Sequence, residues 1–186
     1  MPMGARVQAT TVRVRDHFVN ARYGRTARER YRAAASPELR ATFLSSGNTW
    51  VDFRQFVEAT NLACSMFASG NPALAREIGA FGAESNMGTW RAIAHRLLSP
   101  RTILNIAAGL WGHHYDGGRL DVYATGELGV HMTLTDFPEP HRTHCLAIEG
   151  WIEKTISLGR PRIVRVRHVK CRLDGAPACE FAADWE

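Results

Sequence analysis

The sequence predicts an α+β domain in which N-terminal helices pack on an antiparallel sheet that carries a late helix and a C-terminal hairpin. Three observations point there. Apolar residues recur at helical spacing through about residue 110. From residue 111 to residue 186 the pattern changes to short alternating stretches punctuated by Gly, Asp and Pro, interrupted by one further helical run. A chain of 186 residues is long enough to bury one real core without staples, so residues 1–186 are expected to form a single domain.

Each element has its own signal. Residues 16–34 join good helix formers with apolar Phe18, Val19, Tyr23, Ala27 and Tyr31, and Ser36-Pro37 ends that run and starts a short second helix. Asp52 is placed to cap a helix whose apolar face includes Phe53, Phe56, Ala63 and Phe67. Pro72 stands near the start of a longer helical stretch to about Leu98, and Pro100 opens "PRTILNIAAGLW". In "HHYDGGRLDVYATGELGVHMTLTDF" an Asp-Gly-Gly turn and a second break at Thr125–Glu127 predict two or three antiparallel strands. "DFPEPHRTHCLAIEGWIEKTISLGRP" returns to helix, and the last 25 residues fold as a hairpin around Asp174-Gly175-Ala176-Pro177.

Composition excludes some functions. Hydrophobic residues make up 45% of the chain and charged ones 22%, an ordinary globular balance, and no apolar run is long enough to span a membrane. With no apolar leader in "MPMGARVQATTVRVRDHF", the expected location is the cytoplasm, where four cysteines stay reduced and serve as metal ligands or buried thiols. The net charge of +5 is concentrated in residues 1–40, which hold nine Arg against three acidic residues. A nucleic-acid face is one reading. The other, which we favour, is a solvated helix surface, because Arg22, Arg25, Arg28, Arg30 and Arg32 point several ways around a helix.

The candidate site lies in "HVKCRLDGAPACEFAADW". On the late helix Cys145, Ile148, Ile152 and Ile156 share one apolar stripe, and on the last strand Cys179, Phe181 and Trp185 alternate with Glu180 and Asp184, so both cysteines should face the core. The preceding strand is irregular. Val164 and Val166 lie in one inward phase while Val169, Cys171 and Leu173 lie in the other, and the slip falls at His168. A β-bulge there would turn His168 and Cys171 to the same side; without it they point apart and no shared site exists. With it, Cys145, His168, Cys171 and Cys179 form a closed set for tetrahedral Zn²⁺, a structural site with no open position. The competing reading keeps the cysteines as small buried hydrophobes. Cys64, in a predicted helix without a nearby partner, reads as core.

These residues carry a resemblance. "VRVRHVKCRLDGAPACEFAADW", with "LTDFPEPHRTHCLAIEGWIEKTISLG" and "GRLDV" before it, resembles the 4-vinyl-reductase-like domains, and within them a paralogous family of myxobacterial proteins. These domains share a broad fold group with the haem-NO-binding domains and with vesicle-tethering subunits. The resemblance is sharpest from Trp111 to Trp185. In similar sensor domains a structural zinc is held by an upstream Cys, an acidic residue three before the next Cys, and a final Cys-x7-Cys pair. Those positions fall on Cys145, His168, Cys171 and Cys179, with His168 in place of the acidic ligand.

The resemblance also implies a pocket for a small hydrophobic or aromatic ligand, with Phe81, Met87, Trp90, Trp111, His113 and Met132 as candidate lining, and a homodimer. Haem is not expected, because the Tyr-x-Ser-x-Arg motif of the haem-NO sensors is missing. Seven residues follow Cys179, so any signal is expected to pass through dimerisation or a protein signalling partner. A ligand-free interaction scaffold and an accessory factor in tetrapyrrole or aromatic metabolism are the alternatives. Catalysis is the weaker reading: the chain has no HExxH, no Gly-rich phosphate loop and no Gly-x-Ser-x-Gly, and adjacent His113 and His114, taken as strand residues, would face opposite sides.

Overall fold

The computed structural model describes residues 4–86, 98–157, 159, 161 and 163–186. Helices α1 (Ala9–Tyr23), α2 (Arg25–Ala34), α3 (Pro37–Leu44), α4 (Phe53–Phe67) and α5 (Leu74–Asn86) come first, followed by α6 (Pro100–Gly109) and the single turn α7 (Trp111–His114). Strands β3 (Arg119–Ala124) and β4 (Gly129–Thr135), helix α8 (Arg142–Ser157), and strands β5 (Val164–Lys170) and β6 (Cys179–Trp185) complete the order, with two short strands, β1 (Arg6–Gln8) and β2 (Trp50–Asp52), before α1 and α4. The main sheet runs β3-β4-β6-β5, antiparallel throughout. This is the α+β architecture that the change of periodicity predicts.

Caps and breaks explain the helix boundaries. The helix expected over 16–34 is two helices, because Gly24 at φ +85° interrupts it and α1 begins earlier, at Ala9. The Ser36 hydroxyl accepts from the Leu39 amide with Pro37 in the first turn, and the Asp52 carboxylate accepts from the Arg54 amide, both as the sequence indicates. The pairing of β1 with β2, which sets Val7 opposite Val51, had no signal beyond three residues on each side.

The Asp-Gly-Gly segment is not the hairpin turn. It leads into β3, where Gly118 at φ +75° presses against Phe137, and the β3–β4 turn lies at Thr125–Leu128. His113 and His114 accordingly stand on a helical turn rather than a strand.

Arg22, Arg25 and Arg30 are exposed, as a solvated helix surface requires, whereas Arg13 and Arg15 are buried and Arg28 and Arg32 half-buried. Buried Asp16 of α1 accepts from Arg32 Nε at 2.6 Å and from Arg28 Nε at 2.9 Å, which clamps α2 onto α1. Arg13 donates to Ser45 Oγ and to the Gly47 carbonyl, and Arg40 covers the carbonyls of Arg32, Ala33 and Ala35 at the end of α2. Burial acts to raise the Asp16 pKa, but the hydrogen bonds and charges of Arg32 and Arg28 outweigh it and hold the carboxyl below its ordinary value.

Helices α5 and α8 approach each other closely at two glycines. A Cβ on Gly79 would lie 1.9 Å from the Ala147 carbonyl oxygen, and one on Gly150 would lie 1.9 Å from that of Arg76. Only hydrogen fits at either point. Arg76 then ties the crossing by donating to Glu149 and Glu153.

Two expectations follow. Gly150→Ala should lose on the order of 3 kcal/mol or more in denaturant unfolding, since backbone must move to admit the methyl. Gly109→Ala, where nothing lies within 4 Å, should be neutral or slightly stabilising; equal midpoints for the two variants would contradict the crossing. Because the Asp16 pKa is depressed on folding, its contribution is present above the unfolded value and is lost as pH falls through the folded one. Asp16→Asn should cost about 3 kcal/mol at neutral pH by leaving charge uncompensated. It should also flatten the acid limb of the stability profile, and parallel acid limbs for variant and wild type would count against the clamp.

Candidate functional site

Helix α8 has two packed faces, and consecutive residues belong to different ones. Cys145 points to the sheet and His144 to the helices, and both are buried.

On the sheet side, the stripe of Cys145, Ile148, Ile152 and Ile156 is buried, as are Cys179, Phe181, Ala183 and Trp185 of β6. The register of β5 on β6 sets His168 opposite Phe181 and Lys170 opposite Glu180, with a slip between. Val169 is therefore the extra residue, one position beyond where the sequence places the bulge. Val169 and Leu173, expected to face inward, are exposed, since the bulge turns Val169 out and Leu173 lies in a 3₁₀ turn over Arg172–Asp174. His168 and Cys171 now face the same way. The four ligand atoms of Cys145, His168, Cys171 and Cys179 lie within 4.8 Å of one another, and the Cys145 and Cys179 sulfurs are 4.0 Å apart. Thiolates about 2.3 Å from a tetrahedral zinc stand about 3.8 Å from each other, so the donor set and its spacing fit that ion.

The surroundings favour a bound cation. His168 Nε2 is buried and has no hydrogen-bond partner among the described residues, so it is free to ligate. The His168 ring stacks on Phe181 at 4.5 Å, and its Nδ1 stands 4.0 Å from Glu149 Oε1, the position of an outer carboxylate that orients a metal-binding imidazole. The Arg172 amide donates to Cys179 Sγ at 3.5 Å. A hydrogen bond from Cys145 holds the Cys179 thiol well below its usual range, while donation to Cys179, together with burial, pushes Cys145 up. Cys64, buried in α4, has its thiol raised by burial and takes no part.

On the helix side lies a cavity of about 660 Å³, almost wholly apolar, walled by α1, α4, α5, α6, α7 and α8. Its lining includes Trp111, which stacks on Tyr115 at 4.3 Å and donates from its indole nitrogen to the Gly117 carbonyl. Of the other residues expected to line a pocket, Met132 is wholly buried on the inner face of the sheet, Phe81 packs edge-on against Phe18, and His113 is exposed. None of these three lines the cavity; Met87 and Trp90 fall outside the described residues. Helical phase on α7 puts His114 rather than His113 in the wall, its Nδ1 3.2 Å from Thr11 Oγ1.

Sequence reasoning missed His144. Its ring sits among Phe53, Phe56, Tyr115, Phe137 and Trp111, with Nε2 buried and without a partner among the described residues. Burial, reinforced by the nearby charge of Arg15, depresses its pKa to about 3, so the imidazole is neutral. Its place next to Cys145 on an amphipathic helix was the available signal: adjacent helical residues are about 100° apart and serve different neighbours.

The helices capped by a four-stranded antiparallel sheet define the class of the fold, and comparison with solved structures gives it a name: the chain has the H-NOX fold. An Fe(II) H-NOX protein from S. oneidensis, a triple mutant, is similar at 11% identity with a TM-score of 0.73, covering 96% of each chain. An Fe(II) unliganded H-NOX mutant from K. algicida is similar at 9% identity and a TM-score of 0.70, again over 96% of each chain. A third H-NOX structure, solved to probe the function of haem distortion in that family, matches at 11% identity and a TM-score of 0.68 over 96% of this chain and 94% of its own. No family model matches the sequence, and no curated protein is similar to it. These neighbours overturn the expectation that haem has no place here: the chain shares its fold with haem proteins although Tyr-x-Ser-x-Arg is missing, and the loss of one local motif did not justify setting haem aside.

The cluster yields a direct expectation. Protein produced with zinc should hold about one zinc per chain, and Cys179→Ser should lose most of it and melt markedly lower. Cys64→Ser serves as the control and should keep its metal. Equal zinc content in the two variants by elemental mass spectrometry would rule the cluster out as the site.

Proposed function

We propose that this protein is a small-molecule sensor domain of the H-NOX fold, in which a ligand occupies the cavity on one side of α8. On the other side, a structural zinc at Cys145, His168, Cys171 and Cys179 fastens the C-terminal hairpin. The observation that carries the reading is the cavity: about 660 Å³ of apolar space against a buried, partnerless imidazole nitrogen, where a scaffold would be expected to pack side chains. The likeness to 4-vinyl-reductase-like sensor domains, and to their myxobacterial branch, points the same way, as does the zinc set at the matching positions. Signalling through a homodimer or a protein partner belongs to the same proposal.

Haem is one occupant that the lining admits. An iron porphyrin needs an axial donor, and the wall offers the imidazoles of His144 and His114 and the phenol of Tyr115. Bound there, haem would supply an iron centre able to take a diatomic ligand. What the chain itself contributes is an apolar lining with aromatic side chains, a neutral imidazole at His144, and a hydrogen bond between Thr11 and His114 that fixes the His114 ring.

Titration of the purified protein with haem and with a panel of apolar aromatic compounds tests this. At least one should bind saturably at one site per chain, and Ala107→Trp, which fills the cavity from α6, should abolish it without lowering the melting temperature. If haem is the ligand, its Soret band should shift or vanish in His144→Ala or His114→Ala. Absence of saturable binding across haem and the whole panel would return the protein to the scaffold reading.

A further inference from the structure

The chemistry of the ligand can be taken further, on the reading that the cavity is a ligand site. Arg15 of α1 lines the cavity and is 3% exposed, and no carboxylate among the described residues pairs with it. Its Nε donates to Thr60 Oγ1 at 3.1 Å and its Nη1 to the Thr11 carbonyl at 2.8 Å, both neutral acceptors, and its guanidinium carbon sits 3.6 Å over the centre of the Phe56 ring. Burial lowers its pKa only to about 10, so it stays cationic at neutral pH. The carboxylate of the next residue, Asp16, is taken by Arg28 and Arg32. A buried charge without a counter-ion is costly, and such charges are ordinarily paired.

Two more unmet groups stand on the same walls. His144 Nε2 and Thr155 Oγ1, on residues respectively 1% and 0% exposed, have no hydrogen-bond partner among the described residues. Arg15 is near enough to His144 for its charge to be felt there. Thr155 is three turns further along α8, about 16 Å away at the helical rise. The cavity therefore has a cationic polar end at Arg15 and His144, a long apolar body, and one hydroxyl far from the charge.

We propose that the ligand is an acid: an elongated apolar body whose carboxylate pairs with the Arg15 guanidinium and accepts a hydrogen bond from His144. The carboxylate can belong to a free fatty or aromatic acid or to the side chain of a porphyrin; the shared chemistry is an anion on an apolar frame. The counter-ion that the fold omits is then supplied by the ligand. A neutral molecule of the same shape would leave Arg15 unpaired, so discrimination against it is built into the wall.

The test is isothermal titration calorimetry of the intact chain with matched pairs: dodecanoic acid and dodecan-1-ol, 3-phenylpropanoic acid and 3-phenylpropan-1-ol, haem and its dimethyl ester. In at least one pair the acid should bind on the order of tenfold or more tighter than its neutral partner, and the pair that shows this identifies the source of the carboxylate. Arg15→Met should erase the difference while the neutral partner binds as before. The comparison on the wild type needs no variant, so a misfolded Arg15→Met leaves it decisive. Acids and neutral partners binding alike would overturn the acid inference and leave the cavity reading standing. No binding by any of the six compounds would overturn both.

Discussion

The close approach of α5 and α8 sets the geometry of both candidate sites. With hydrogen in place of a side chain at Gly79 and Gly150, each helix rests against a carbonyl of the other. That contact fixes the height and rotation of α8 relative to the helices. Only with the rotation fixed can Cys145 meet the hairpin while its neighbour His144 meets the cavity. A methyl group at either glycine would move both at once.

The two faces share more than a backbone. Arg76 of α5 donates to Glu149 Oε2 at 2.7 Å, and the other oxygen of Glu149 stands 4.0 Å from His168. Ile78 and Gly79, two and three residues beyond Arg76, wall the cavity. The carboxylate beside the candidate metal ligand is therefore anchored by the helix that helps enclose the ligand space. The polar chemistry is divided just as sharply. On the sheet side Cys145 hydrogen-bonds to Cys179, whose thiol is held below its usual range; on the helix side a neutral imidazole and a guanidinium with no carboxylate partner among the described residues look into apolar space.

Where local chemistry decides, the sequence was informative. Ser36-Pro37, Asp52 and Pro100 marked helix starts because capping and proline act within a few residues. The inward face of β6 followed from strict alternation. The bulge was legible because a phase slip between Val166 and Cys171 can hardly be accommodated otherwise, although its place, Val169 rather than His168, depended on cross-strand register. What failed was long-range. Nothing local separates His113 from His114 until it is known that α7 is helical, nor shows that Met132 is consumed by the sheet. The charge of residues 1–40 looked like a surface property, yet Arg13, Arg15, Arg28 and Arg32 are largely structural because Asp16, Gly47 and Thr60 come to meet them. Haem was set aside on a missing motif, whereas the fold that it shares with H-NOX proteins resides in the packing of elements at about one-tenth sequence identity.

Helix α8 separates the proposed ligand cavity from the proposed zinc site at Cys145, His168, Cys171 and Cys179. X-ray absorption at the zinc edge, on protein purified without added chelator, tests the site most directly. The account predicts a four-coordinate shell of three sulfurs at about 2.3 Å and one imidazole nitrogen at about 2.0–2.1 Å, unaffected by ligands added to the cavity. A shell of oxygen and nitrogen only, or one open to added ligands, would contradict it.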